Sequence, residues 1–400
     1  MIDPQPLAVD FYCADAHIAY DERRLDEHGV GGGITTRIRL AHALAARGHR
    51  VQAWVNCVQP GWQGGVHYRH FSEARALDAD VVLFGSSGQP YSLHSANALR
   101  VQARLRGLLA FGQPMPAGCQ PAAYDYIYTA SNFMRRSVTQ TWGAAARQIF
   151  TCPRGVVPEF YAPPMVQRNL YRLAYSGHPQ KGLAEALEVL QLLRAIDARF
   201  HLHVFGGRAL WGQPEAAQPA QAGVQYCGVL GQRALARALQ GCGFALALQT
   251  RQEPFGMALL EAQRAGCIVV ASAVGAFPEI VTDGVDGFLL AGAPAAAVAA
   301  EKILELMQQP QRLQAVRTAA QCAALPWNVV AAAYAQHWGW ALRGAVPPAA
   351  GPGCAECSAP LLELASGLHC VRCGAYTRGG AAPPTATRSA LQPALSAVSA

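Results

Sequence analysis

Apolar runs of strand length alternate with amphipathic stretches along most of this chain. Leu7–Cys13 and Val51–Val58 are two such runs, and Thr35–Arg47 between them has helical spacing. Asp80–Phe84, Asp125–Ala130 and Gln148–Cys152 continue the strand series, while Leu99–Leu109 and Asn132–Gln140 read as helices. The pattern restarts after Pro163-Pro164. Strands then fall at Arg172–Ser176, Leu202–Phe205, Val224–Tyr226, Phe244–Leu248 and Ile268–Ala271, with helices near Leu183–Ile196 and Arg233–Leu239. Such alternation predicts an α/β chain of two doubly wound halves, each a parallel sheet with helices on both faces. Pro326-Trp327 opens a last helix that runs to about Arg343.

Beyond that helix the texture changes. Residues 344–353 are rich in Pro, Gly and Ala and read as a linker. Residues 379–400 are rich in Ala, Pro, Ser and Thr, carry one charge, Arg388, and predict a disordered tail. The expected division is 1–165, 166–343, the linker, a small module at 354–378, and the tail.

That module holds Cys354-x-x-Cys357 and Cys370-x-x-Cys373, twelve residues apart. Four thiolates at this spacing suit a tetrahedral structural Zn²⁺, in a zinc ribbon whose own core is too small to hold it. The other eight cysteines are scattered singly. The chain opens Met1-Ile-Asp-Pro with no basic-plus-apolar leader, and Gly287–Ala300 is too short to span a bilayer. A cytoplasmic location is therefore expected, where two C-x-x-C pairs favour zinc over disulfides.

The chain is 52% hydrophobic and 14% charged, enough to bury sizeable cores. Its net charge of +7 fits phosphate-bearing ligands, or weak peripheral attraction to an anionic inner membrane face. No dense Lys/Arg run occurs, so it falls short of a nucleic-acid signature.

The chemistry concentrates in Glu253-Pro-Phe-Gly-Met-Ala-Leu-Leu-Glu261. Pro254 suits a first helical turn, and Ala265-Gly266 ends the helix before the strand run Cys267–Ala271. The backbone N–H groups of Gly256, Met257 and Ala258 are then free donors at a helix N-terminus, a natural phosphate site. The two carboxylates suit sugar hydroxyls.

Together with Gly275-Ala-Phe-Pro-Glu-Ile-Val281, this stretch resembles the donor-binding signature of retaining GT-B glycosyltransferases of the GT4 type. The resemblance implies a GT-B fold, a nucleotide-sugar donor and no active-site metal. It implies that Glu261 holds the nucleotide ribose and Glu253 the donor sugar. Gly31-Gly32-Gly33 resembles the family's glycine loop, with Gly32 and Gly33 facing the donor phosphates. Tyr175-Ser-Gly-His178-Pro-Gln-Lys181-Gly182 resembles the segment whose two cations grip the diphosphate; Lys181 matches, and His178 stands where the family has arginine.

The first half departs from the family. Asp80–Ser87 and Phe111-Gly-Gln113 lack its histidines; His94 reads as a surface residue, and His28, just before the glycine loop, could reach the cleft or be a loop histidine. In the second half, Arg208 after Phe205-Gly-Gly reads as a further candidate cation or, more readily, a solvated loop arginine. Ser131 reads as a helix N-cap, and Arg154 replaces an asparagine in the hinge turn. The resemblance thus implies sugar transfer to an unknown acceptor, a saccharide, a lipid-linked saccharide or another. The alternative is a scaffold that binds a nucleotide-sugar or protein partner with little catalysis.

Overall fold

The structure, a computed structural model, describes residues 5–378 apart from 89–90, 165, 219, 293–295, 323–324, 345–352, 360, 365 and 371. Nearly all of the expected linker, and the whole of the expected tail, lie outside the described residues.

The first sheet contains β1 (Ala8–Tyr12), β2 (Arg50–Val55), β3 (Gly61–Gln63), β4 (Val66–His70), β5 (Ala76–Gly85), β6 (Arg100–Leu109), β7 (Tyr126–Thr129) and β8 (Ile149–Thr151). Their order is β3-β4-β2-β1-β5-β6-β7-β8, and only the β3–β4 pair is antiparallel. Helices α1 (Glu22–Glu27), α2 (Gly32–Ala46), α3 (His94–Asn97), α4 (Asn132–Thr141) and α5 (Pro158–Tyr161) connect or follow these strands.

The second sheet contains β9 (Asn169–Gly177), β10 (His201–Gly206), β11 (Val224–Gly228), β12 (Cys242–Ala247), β13 (Ile268–Ser272) and β14 (Phe288–Leu290). It is wholly parallel, in the order β11-β10-β9-β12-β13-β14. Its helices are α6 (Leu183–Ile196), α7 (Gln232–Gln240), α8 (Met257–Arg264), α9 (Phe277–Ile280), α10 (Ala296–Met307) and α11 (Pro310–Cys322). The sequence pattern explains the layers. Every residue of β13 is buried, as suits a central parallel strand. Helix α6 buries Leu183, Ala186, Val189, Leu190 and Leu193, the stripe its spacing predicts.

One expected helix is a strand. The Leu, Arg, Gln and Ala of residues 99–109 are good helix formers. They form β6 instead, paired with β5 from Ala76↔Arg100 to Gly85↔Leu109. Exposure alternates over its first residues, with Arg100, Gln102 and Arg104 outward. The ten-residue strand β5 offers a pairing edge that local propensity does not see.

Helix α12 (Trp327–Ala341) packs on the first half. Its Trp338 is fully buried and donates from Nε1 to the Tyr128 hydroxyl on β7 at 2.8 Å. Tyr334 stacks on Tyr128 with centroids 4.9 Å apart.

The small module forms a third sheet, β15 (Leu361–Leu364), β16 (Gly367–Cys370) and β17 (Tyr376–Arg378), antiparallel throughout. It does not stand apart from the rest. His369 stacks on Phe150 of edge strand β8 with centroids 4.6 Å apart. A side chain on Gly374 would meet the Ile149 carbonyl oxygen at 2.4 Å. The module thus covers the open edge of the first sheet.

Candidate active site

Between the two halves lies a cavity of about 710 Å³, lined by both sheets' loops. That is ample for a drug-sized ligand or cofactor. Turns that leave β9, β12 and β13 build its second-half wall around Lys181 and Glu253, and the loops after β10 and β11 add Trp211, Gln213 and Gln232.

After β9 comes the turn that carries His178 and Lys181. Gly182 caps it with φ +96°, and a Cβ there would fall 1.7 Å from the Leu248 carbonyl oxygen. Only glycine permits this close turn. The turn aims Lys181 Nζ at Glu253 Oε2, 2.8 Å away, and Gln249 Nε2 donates to the same oxygen at 3.3 Å. Gly275, with φ +57°, backs the Glu253 loop; a Cβ there would lie 2.3 Å from the Glu253 carbonyl oxygen. Ala276 N donates to that oxygen at 2.9 Å, which fixes the loop from behind.

Gly256 begins α8 in the left-handed region, φ +106°. A side chain there would strike the Phe277 ring at 2.6 Å. Met257 and Ala258, whose N–H groups have no partner within the helix, line the cavity. Across from them, a Cβ on Gly32 would meet the Met257 side chain at 3.1 Å, and one on Gly33 would meet Ser87 at 2.6 Å. Gly32, in the first turn of α2, therefore lies close to the Met257 side chain at the start of α8.

Glu261 is buried about one turn along α8. Its Oε1 accepts from Gln232 Nε2 at 3.1 Å. Burial pushes its carboxyl up to about 7, against the pull of Gln232 and of Arg39. His178 is buried and stacks on Trp211 at 3.6 Å, 10° from coplanar. Its Nδ1 accepts from Gln180 N at 3.2 Å, which leaves Nε2 to face Gln213 Oε1 at 3.4 Å. Burial lowers its pKa, and Arg208 and Lys181 lower it further. Burial and the two neighbouring cations thus disfavour the charged imidazole at the position where the family has arginine.

The first-half wall contains residues that sequence reasoning missed. His17 lines the cavity with Nδ1 unpartnered. Its signal was faint, an Asp15-x-His17 pair just past β1. Arg154, 3% exposed, lies over the Phe111 ring at 5.3 Å and also lines the cavity. Gln113 lines it as well. His28 and Arg208 are exposed and outside the lining, as is His94. Arg208 donates to its own loop at Pro214 O, 3.1 Å.

Away from the cavity, the sulfurs of Cys354, Cys357, Cys370 and Cys373 all lie within 4.8 Å of one another. Cys354 and Cys373 are 3.7 Å apart, and Cys357 and Cys370 3.4 Å. Tetrahedral Zn–S bonds of about 2.3 Å require S···S of roughly 3.8 Å, so the set fits a metal. The Ala359 N–H above all brings the Cys357 thiol down to about 7, whereas burial raises Cys370 and Cys373, so the fit to a metal rests on the sulfur geometry.

Residues 173–322 match the family model described as glycosyl transferases group 1. A 163-residue stretch is 33% identical to glycogen synthase of Xanthomonas campestris, covering 39% of this chain and 33% of that enzyme. The chain thus spans about a third of the length of the glycogen synthases it matches. D-inositol 3-phosphate glycosyltransferase of Xylanimonas cellulosilytica is 26% identical over 298 residues, 67% of each chain. Among solved structures, Anabaena Alr3699/HepE in complex with UDP-glucose superposes with a TM-score of 0.60, covering 85% of this chain and all of that one at 14% identity. No helix of the described residues is long and apolar enough to cross a membrane. The described chain has the GT-B fold of its solved neighbour, two α/β sheets facing a cavity, and residues 173–322 match the group 1 glycosyl transferase model.

Proposed function

We propose that the chain transfers a sugar from a nucleotide-sugar donor to an acceptor with retention of anomeric configuration. The observation that carries this reading is the Lys181–Glu253 ion pair, set in one cavity with the α8 N-terminus and the buried Glu261. The relative solved with UDP-glucose supports a nucleotide-sugar in such a cleft.

In this reading the N–H groups of Gly256, Met257 and Ala258 hold the donor diphosphate, with Gly32 and Gly33 closing on it from the first half. Lys181 adds the positive charge. As the bond to the sugar breaks, negative charge builds on the diphosphate, and these fixed donors stabilise it without reorganising. Glu253 accepts from sugar hydroxyls near the reacting carbon. Glu261 accepts from the ribose. His178, neutral and stacked on Trp211, shapes the wall and supplies no charge. A departing phosphate oxygen takes the acceptor proton on the same face, so no active-site metal is needed. The four cysteines hold one structural Zn²⁺.

Thermal shift and calorimetry against UDP-, GDP-, ADP- and dTDP-sugars test the donor site. Donor hydrolysis without acceptor then tests turnover. Failure of every nucleotide-sugar to bind overturns the reading. Binding with no turnover, in wild type as in Glu253→Gln, would favour a scaffold that holds the donor without catalysis.

A further inference from the structure

The first turn of α4 is a junction of three parts of the chain. Ser131 caps the helix by accepting from Met134 N at 3.0 Å. The same hydroxyl donates to the Pro254 carbonyl oxygen at 2.6 Å, next to Glu253 in the candidate donor loop. Glu279, also from the second half, accepts from Asn132 N at 2.7 Å and from Phe133 N at 2.6 Å. A second-half carboxylate thus completes the N-terminus of a first-half helix, where its charge is favourable.

The cysteine module grips the same turn from its other flank. The Asn132 side chain donates from Nδ2 to Tyr376 O at 2.8 Å and accepts at Oδ1 from Tyr376 N at 2.9 Å. It extends β17 as a neighbouring strand residue would. Arg135, 5% exposed, donates from Nη1 to Cys373 O at 3.1 Å and pairs with Glu356. Cys373 belongs to one C-x-x-C pair, and Glu356 stands inside the other. Arg135 therefore reads the geometry of both halves of the four-sulfur set. A buried guanidinium that loses such partners is costly, so the two arrangements are linked.

We infer that the metal-loaded ribbon is a clamp on α4, and that Asn132 and Arg135 are positioning residues which act through Ser131 and Glu279 on the Pro254 loop. The inference rests on the zinc assignment and on the donor-site reading proposed above. The module's own apolar core is small: Ala359, Leu361 and Ala375 packed with Cys354 and Cys370. Metal would supply most of its folding energy. With metal bound, Cys373 O, Glu356 and Tyr376 stand where α4 needs them. The helix N-terminus then stays seated against Pro254 and Glu279, and the two halves keep their spacing around the cavity.

Hydrogen exchange on the full-length, ligand-free chain tests this directly. The forms compared are zinc-loaded, chelator-stripped and zinc-reloaded wild type, with Asn132→Ala and Asn132→Asp. Zinc content is measured for each by mass spectrometry. Loss of the two Asn132 bonds predicts exchange about tenfold faster at residues 131–136 and 253–260. Peptides of β1 and β2 should not change. Asn132→Ala should keep its zinc and still show the faster exchange, and Asn132→Asp, which retains one bond, should fall between. Reloading zinc should restore wild type. Wild-type exchange at 253–260 in zinc-retaining Asn132→Ala overturns the clamp, as does a wild-type chain that binds no zinc. Should zinc removal loosen the whole chain, the two Asn132 variants decide. Intact coupling in a chain with no nucleotide affinity would instead overturn the donor reading and leave the clamp standing.

Discussion

Arg39 Nε donates to Gln232 Oε1 at 2.7 Å, across 193 positions of sequence, and so joins α2 of the first half to α7 of the second. Asp26 holds the far side of the guanidinium at 2.6 Å. The contact fixes the Gln232 amide so that its Nε2 points at Glu261. Gln232→Leu should therefore strip Glu261 of its hydrogen-bond donor and weaken nucleotide binding by about 1.5–3 kcal/mol, the range for a bond to a charged group. Calorimetry with the nucleoside diphosphate measures it. Unchanged affinity would mean that Glu261 does not depend on this support.

Glu261 also predicts a pH dependence. In the fold its carboxyl titrates near 7, while in the unfolded chain it returns to its ordinary value of 4.5. Between these values the folded protein keeps a proton that the unfolded chain releases. Stability contributed by this group is therefore whole below 4.5, declines as pH rises, and is lost above 7. The span corresponds to about 3 kcal/mol. Glu261→Gln should remove that slope, seen as the difference between urea-unfolding curves of the two proteins at pH 5 and pH 7.5. Parallel curves would show that burial does not hold the proton.

The Lys181–Glu253 pair is part-exposed on the lysine side, 30%, and nearly covered on the glutamate side, 12%. Lys181→Ala should reduce affinity for the nucleoside diphosphate by about 1.5–3 kcal/mol and leave that for the bare nucleoside nearly unchanged. Lys181→Arg should recover part of the loss, since a fork reaches phosphate differently from a point charge. Equal losses for both ligands would place Lys181 away from the phosphates.

Gly182 and Gly143 both have positive φ, but only Gly182 is hemmed in by a carbonyl. Gly143→Ala should cost only the left-handed conformation, roughly 1–2 kcal/mol. Gly182→Ala should cost clearly more, because the Leu248 carbonyl must move, and should weaken donor binding by shifting Lys181. Urea unfolding compares the two. Equal costs would mean that the turn relaxes without strain.

Trp338→Ala should destabilise the chain by about 3–5 kcal/mol through the cavity it leaves. Trp338→Phe should cost less, mainly the 2.8 Å bond to Tyr128. Thermal unfolding of both variants measures whether α12 is a true part of the first half's core. A cost near zero for Trp338→Ala would say that it is not.

Much of this protein is decided locally. The strand and helix alternation, the α6 stripe, the Ser131 cap and the glycines of the three turns are written within short windows, because periodicity and backbone conformation are short-range properties. The pairing of Glu253 with Glu261 along a loop and helix, and the spacing of the four cysteines, are of the same kind. Other features exist only through contact. Residues 100–109 became a strand because β5 lies beside them, against their own helical leaning. His17 and Arg154 became cavity walls only when their loops met the second half. Burial lowers the His178 pKa where it stacks on Trp211, a contact that no local pattern of residues foretold. The docking of the ribbon on Asn132 and Arg135 joins positions more than two hundred residues apart. Such pairings depend on which surfaces the folded halves bring together, and a single sequence carries no local mark of them.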